Sequence, residues 1–213
     1  SNSFCTLLPA FIFLCPILTM VKCVVQRVFQ ASVGVLQAEG LVPVSSIGPG
    51  LMVLVGISTD DTDADIEWMA RKLLNLRLFP GPVAPSAPSA NGTDEVVDAA
   101  AAAAAAKPNE EPLGSYAAAQ GKQWTRNVTE VGGSVLMVSQ FTLCHVLKGN
   151  KPDFHNAMRG EHAKVLYDKM CTLMGTAYDA ERIKQGAFGE HMHVSIVNDG
   201  PVTLSIDTKN KDK

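Results

Sequence analysis

No stretch of the 213-residue sequence reaches the roughly 18 continuous apolar residues of a membrane-spanning helix, so an integral membrane protein is not expected. Charge is sparse, at 18% of residues, below the usual ~25%, which suits a compact domain carrying some low-complexity sequence. The net charge of −3 excludes a protein that holds nucleic acid by bulk positive charge, though not one that grips a single RNA end in a small pocket. Residues 1–121 carry 6 Lys/Arg against 11 Asp/Glu, and residues 122–213 carry 12 against 10, so a polyanion would sit against the C-terminal half. The five cysteines (Cys5, Cys15, Cys23, Cys144, Cys171) are odd in number and scattered, with no CxxC pair. That excludes a zinc ribbon and a disulfide scaffold and fits reduced thiols in a cytoplasmic protein. No GxSxG elbow is present. His191 and His193 share a strand face but have no obvious third ligand, so no metal is expected, and nothing calls for a cofactor.

What is present is 46% hydrophobic residues, far too many for a disordered chain. Residues 4–18, FCTLLPAFIFLCPIL, are apolar but contain two prolines and follow no basic residue. Met20-Val21-Lys22 looks like a chain start, so residues 1–19 are taken as an extension outside the fold, with a weak targeting segment as the alternative. Residues 80–123 are Ala- and Pro-rich, with an unbroken run from Ala99 to Ala106 and few large apolar residues to dock with, which reads as a surface insertion. Setting both aside leaves one domain over 20–208, followed by a short tail at 209–213. The sequons at Asn91 and Asn127 would matter only in a secreted chain.

The hydrophobic pattern then predicts the elements. Strands are expected at Val21–Val28 and on through the alternation of Phe29, Ala31, Val33 and Val35, at Gly50–Ile57 as a central strand, and at Ser134–Leu143. A helix capped by Thr62 or Asp63 is expected over 62–79, with Ile66, Met69, Ala70 and Leu73 on one face. The longest helix is expected over Asp153–Leu173, with Pro152 before its cap and Gly175 after its end. Two final strands, carrying Met192, Val194 and Ile196 and then Val202, Leu204 and Ile206, flank an Asp-Gly hairpin signal. The fold class is α/β of α+β type: layered, mostly antiparallel sheets or a partly closed barrel, flanked by two main helices.

Two motifs stand out. Ser139-Gln140-Phe141-Thr142-Leu143 sets hydrogen-bonding groups among apolar neighbours. Taken alone, these suit any strand that tolerates Ser and Thr. Asn198-Asp199-Gly200-Pro201-Val202-Thr203 reads as a turn, but Pro201 removes a backbone donor where the second strand should begin. Such a Gly-Pro bond can be cis.

With both motifs in this order and spacing, the chain resembles the D-aminoacyl-tRNA deacylase family. The likeness extends to Val21–Val28, Arg77-Leu78-Phe79, Lys148–Phe154 and Gly186-Ala187-Phe188-Gly189, and covers essentially residues 20–79 and 124–208. The tail before Met20 and the insertion after Phe79 have no counterpart in the usual pattern. The resemblance implies hydrolysis of the ester joining a D-amino acid to the terminal ribose of tRNA, with L-aminoacyl-tRNA spared. It implies that Gly200-Pro201, as a cis dipeptide, is a steric gate presented into the site of the partner in a homodimer, with Arg27 bonding to its carbonyls. A solvent-facing strand residue is the other reading of Arg27. By the same resemblance Phe188, Gly189 and Met192 seat the terminal adenosine, for which ordinary core packing is the alternative. Lys148 and Lys151 are candidates for phosphate contacts or plain solvated loop residues. Ser139, Gln140, Phe141 and Thr142 form the catalytic motif. Its chemistry is open between a Thr142 nucleophile and backbone N–H groups around Phe141 and Thr142 that hold an oxyanion while the tRNA 2′-OH or a water assists. On a strand, His145 would face away from Thr142. The rivals are an inactive module that binds the tRNA 3′ end on the same fold, a small-molecule esterase, which lacks an activated nucleophile here, and a secreted protein.

Overall fold

The computed structural model describes residues 21–38, 40–82 and 121–209, so the expected extension at 1–19, nearly all of the insertion and the end of the tail lie outside the described residues. Among the described residues, eight strands and two α-helices follow one another as β1 (Lys22–Gln37), β2 (Gly40–Ile47), β3 (Gly50–Gly56), α1 (Asp63–Asn75), β4 (Ser134–Ser139), β5 (Val146–Lys148), β6 (Lys151–Asp153), α2 (Gly160–Ala177), β7 (Ile183–Gln185) and β8 (Met192–Asp207). The main sheet runs β2-β1-β3-β4-β7, and β8 pairs with β1 along its other edge. The β1 pairs are antiparallel, whereas β3–β4 and β4–β7 are parallel, so the sheet is mixed with antiparallel pairing predominant, as expected.

The continuous apolar run of β3 follows from burial on both faces. Leu51, Val53 and Val55 pack with Ile66, Met69 and Leu73 of α1 and with Tyr167, Met170 and Met174 of α2. Met52 packs on the opposite face with Val28, Ala31, Val33, Leu136 and Val138. In β1 the buried residues change face midway: Cys23 and Val25 join the helix side, whereas Val28, Ala31 and Val33 join the other. The irregularity against β8 at Val28/Gln30, which leaves Phe29 as an extra residue in β1, produces that change and adds local twist. The sheet thereby curls into a nearly closed barrel with both helices on its outer face.

Five expectations are corrected. The α1 helix stops at Asn75 instead of continuing to 79, because the chain turns extended at Leu76 and Phe79 bridges to Arg126. At its start, Asp65 accepts from the Thr62 backbone N–H at 3.2 Å, half of a capping box. The α2 helix begins at Gly160, not Asp153, because 151–153 pairs with 146–148 in a small hairpin. Gly175 lies inside α2, where a Cβ would come within 3.3 Å of Ala180 Cα. The strand expected over 134–143 ends at Ser139, and Phe141–Cys144 form a 3-10 turn. The Asp-Gly hairpin is absent, since β8 is one 16-residue strand interrupted by a bulge.

Candidate active site

The first motif begins where β4 ends. Ser139 pairs with Val55, the Gln140 backbone N–H donates to Val55 O at 2.7 Å, and the chain then winds into the 3-10 turn. The turn's own ladder starts with Leu143 N donating to Gln140 O at 3.2 Å. The N–H groups of Phe141 and Thr142 precede that ladder, as the first donors of any such turn do. Gly56 lets the turn approach, since a Cβ there would lie 2.8 Å from Leu143 Cβ and 3.0 Å from Gln140 O. Gln140 Nε2 donates to Thr142 Oγ1 at 2.5 Å, so the amide fixes the threonine hydroxyl. Phe141 is exposed, with its ring edge-on to Phe154 at 5.2 Å between centroids.

His145 caps this turn rather than extending a strand, and its Nδ1 lies 2.9 Å from the Thr142 backbone oxygen. The strand-based argument for its placement therefore falls, and its contact is with the carbonyl rather than the hydroxyl. Cys144 is no substitute nucleophile, because it is buried and desolvation pushes its thiol up to about 11.

The 186–192 segment lies beside the same sheet edge. Gly186 N donates to Met137 O at 2.8 Å, and a Cβ on Gly186 would meet Met192 Sδ at 2.8 Å. Phe188 is half-buried, with its ring 5.3 Å from that of Tyr167, whose hydroxyl donates to Met137 O at 2.8 Å. Gly189 adopts φ +81° in open space. Phe188 and Met192 each lean on a core cluster, one on each, and Gly189 stands in the turn between them. Lys148 and Lys151 stand on the β5–β6 hairpin; Lys151 is exposed, and Lys148 forms an ion pair with Asp153. That pair, with His155, holds the Asp153 carboxyl well below the usual range. Asn127, one of the two sequon residues, is buried, and its side chain accepts from Thr129 Oγ1 and Glu130 N in a turn.

The second motif is a bulge. Asn198 pairs with Val28 and Val202 with Arg27, so Asp199, Gly200 and Pro201 stand out from the ladder. The Gly200–Pro201 bond is cis, and Gly200 has φ +118°. Val202 N donates to Asn198 Oδ1 at 3.3 Å across the base of the bulge. Arg27 is buried under it, but its contacts differ from those expected. Nη1 donates to Leu78 O, and Nε lies 2.7 Å from Asp199 Oδ2, in place of bonds to the dipeptide carbonyls.

The sequence reading missed Trp124. Its ring centroid is 6.0 Å from the Arg27 guanidinium, it is exposed, and it holds φ +62°. The donation of Thr125 N and Arg126 N to Phe79 O fixes that backbone. No periodicity or motif marks this residue, which stands just after a low-complexity stretch.

Within one chain the bulge, midway along the β1–β8 ladder, stands apart from the first motif at the end of β4. Arg27 pairs with Leu51 and Leu51 with Val135, whereas Ser139 is four residues further along β4. That separation is about 13 Å along the strand at ~3.3 Å per residue, with β1 and β3 also intervening between β8 and β4. Among the described residues no cluster of three or more His, Cys, Asp or Glu is placed to hold a metal ion.

The family model for D-Tyr-tRNA(Tyr) deacylase matches residues 24–99 and 113–207. The chain is 42% identical over 187 residues to the D-aminoacyl-tRNA deacylase of Drosophila melanogaster, covering 88% of this chain and 92% of that one. It is 40% identical over 187 residues to D-aminoacyl-tRNA deacylase 1 of Homo sapiens, covering 88% and 70%. Among solved structures, a c-Myc DNA unwinding element binding protein superposes with a TM-score of 0.65 at 40% identity, covering 87% of this chain and 97% of that one. A second, a probable eukaryotic D-amino acid tRNA deacylase, superposes with a TM-score of 0.62 at 16% identity, covering 88% and 99%, and bears on the fold alone.

Proposed function

Because this chain belongs to the D-Tyr-tRNA(Tyr) deacylase family, whose members are hydrolases of ester bonds, we propose that it releases D-amino acids from tRNA and spares the L-forms by a steric gate. An aminoacyl ester is already activated, so modest catalysis is enough. Stereochemistry is the harder demand. The two enantiomers differ only in which way the side chain leaves Cα, and contacts to the side chain itself would not generalise across amino acids. A fixed backbone obstacle does generalise, and the bulge of Asp199-Gly200-Pro201 is such an obstacle.

The observation that carries this reading is the separation of the bulge from the first motif within the chain. A gate two strands and about 13 Å along the strand away does not guard the site of its own subunit. It meets the Ser139–Thr142 motif only across a two-fold axis, which makes the active form a homodimer. Exposed Val197 and Leu204, on the strand either side of the bulge, supply apolar surface for that contact.

At the motif, the open N–H groups of Phe141 and Thr142 stabilise the oxyanion as the ester carbonyl is attacked. Gln140 occupies the Thr142 hydroxyl, and the base that a threonine nucleophile needs has no counterpart in this motif. A water attacks the carbonyl and ends in the released carboxylate, the ribose leaves with its hydroxyl restored, and the 2′-OH of the terminal adenosine assists. Phe188 with Gly189 and Met192 receives the adenine, in keeping with the way single-stranded RNA ends stack on aromatic rings. Lys151 is free to meet a phosphate, whereas Lys148 first has to leave Asp153.

The direct test is deacylation of labelled D-Tyr-, L-Tyr-, L-Ala- and Gly-tRNA. The expected outcome is rapid loss of D-Tyr, appreciable loss of Gly, which has no side chain to exclude, and retention of L-Tyr and L-Ala. Equal cleavage of D- and L-Tyr-tRNA would refute the gate. No hydrolysis of any substrate, with the 3′ end still bound, would support the inactive binding module instead.

A further inference from the structure

We infer that Asp199 is a positioning residue for chiral selection, because its ion pair with Arg27 aims the bulge. The inference rests on the gate reading above and concerns what holds the gate in place. The β1–β8 ladder does not do so, since pairing stops at Asn198 and resumes at Val202. Glycine and proline carry no side-chain polar group to anchor, and Gly200 is at φ +118°, in a region that side-chain-bearing residues rarely adopt. Anchoring therefore falls to the residues at the base of the loop. Asn198 accepts from Val202 N, a bond that closes the bulge upon itself without tying it to the body of the protein. Asp199 makes the outward tie, with Oδ2 lying 2.7 Å from Arg27 Nε and both side chains mostly buried, at 18% and 9% exposure.

The far end of that tie is rigid. Arg27 Nη1 donates to the carbonyl of Leu78, a buried residue next to fully buried Phe79, and the guanidinium also faces the Trp124 ring. Arg27 is thus held by the segment after α1 and by the loop entering β4, neither of which is part of the bulge. The contact is an ion pair at 2.7 Å without aligned hydrogen-bond geometry at Nε, so what it fixes is the distance of Asp199 from a mostly buried, anchored charge. The simpler alternative is that Asp199 merely neutralises a buried arginine. That alternative predicts a loss of stability with selectivity intact, and positioning predicts a loss of selectivity.

The experiment compares Asp199→Ala, Asp199→Asn and Pro201→Ala with the parent protein. The readouts are the ratio of D-Tyr-tRNA to L-Tyr-tRNA turnover and the thermal midpoint. Asp199→Ala is expected to lower the ratio at least tenfold through a gain in L-Tyr-tRNA hydrolysis. Asp199→Asn keeps an oxygen toward Arg27 without the charge, stands in if the alanine variant does not fold, and is expected to lower the ratio about threefold. If both Asp199 variants keep the parent ratio and only the midpoint falls, positioning is overturned. If Pro201→Ala shifts the ratio while they do not, positioning alone has failed. If Pro201→Ala also leaves it unchanged, the gate reading fails and takes the proposal with it.

Discussion

Gly200→Ala lowers the ratio of D-Tyr-tRNA to L-Tyr-tRNA hydrolysis at least a hundredfold, chiefly by admitting the L-substrate. Gly200 sits at φ +118°, where a side chain is strained whatever the surrounding space. A Cβ there would also lie 2.9 Å from Val202 Cγ2 and 3.2 Å from Val202 N. Val202 is part of the core, so the bulge yields rather than the strand. A hundredfold change corresponds to about 2.7 kcal/mol of lost discrimination, at ~1.4 kcal/mol per factor of ten. Turnover of each enantiomer under single-turnover conditions measures it. An unchanged ratio in a folded Gly200→Ala protein means the bulge does not act on the substrate.

The second large effect concerns catalysis itself. Phe141→Pro is expected to reduce the rate of D-Tyr-tRNA hydrolysis by about 10²–10³, the usual cost of losing one oxyanion donor. Proline is tolerated at this place because position 141 opens the 3-10 turn, where no intrahelical bond needs its N–H. Gln140, at φ −146° and ψ 81°, already lies outside the helical region that a following proline disfavours. Phe141→Ala is the control: it keeps the N–H and loses only the ring contact with Phe154, so its rate stays within about tenfold of the parent. Thr142→Ala separates the two chemistries. Near-parental turnover there, with Phe141→Pro disabled, supports the backbone account. The reverse pattern makes the threonine hydroxyl the working group.

The elements that bury a full face were legible from sequence: the apolar run of β3, the Ile66/Met69/Leu73 stripe of α1 and the alternation of β1 each match a core cluster. The elements that depart from the reading are those in which a polar contact overrode local pattern. Asp153 reads as a helix cap, but it takes Lys148 and His155 as partners in the β5–β6 hairpin, and α2 starts seven residues later. Leu78 reads as the end of a helix, but Arg27 draws on its carbonyl. The Asp-Gly turn signal at 199–200 is real, yet one partner strand, β1, pairs on both sides of it, and a bulge results instead of a hairpin. The site residues were legible only as motifs in order. Trp124 and the Arg27–Asp199 pair join residues far apart in the chain, and no local periodicity encodes such a meeting.

Mixed dimers test most directly whether one subunit's bulge guards the other's motif. One subunit carries Gly200→Ala with its motif intact, and the other carries Phe141→Pro with its bulge intact. In the hybrid only the first subunit's motif works, and it faces the second subunit's unaltered bulge. The account predicts that the hybrid hydrolyses D-Tyr-tRNA and spares L-Tyr-tRNA. A hybrid that cleaves L-Tyr-tRNA as freely as the Gly200→Ala homodimer would contradict it, because each motif would then be guarded by its own chain.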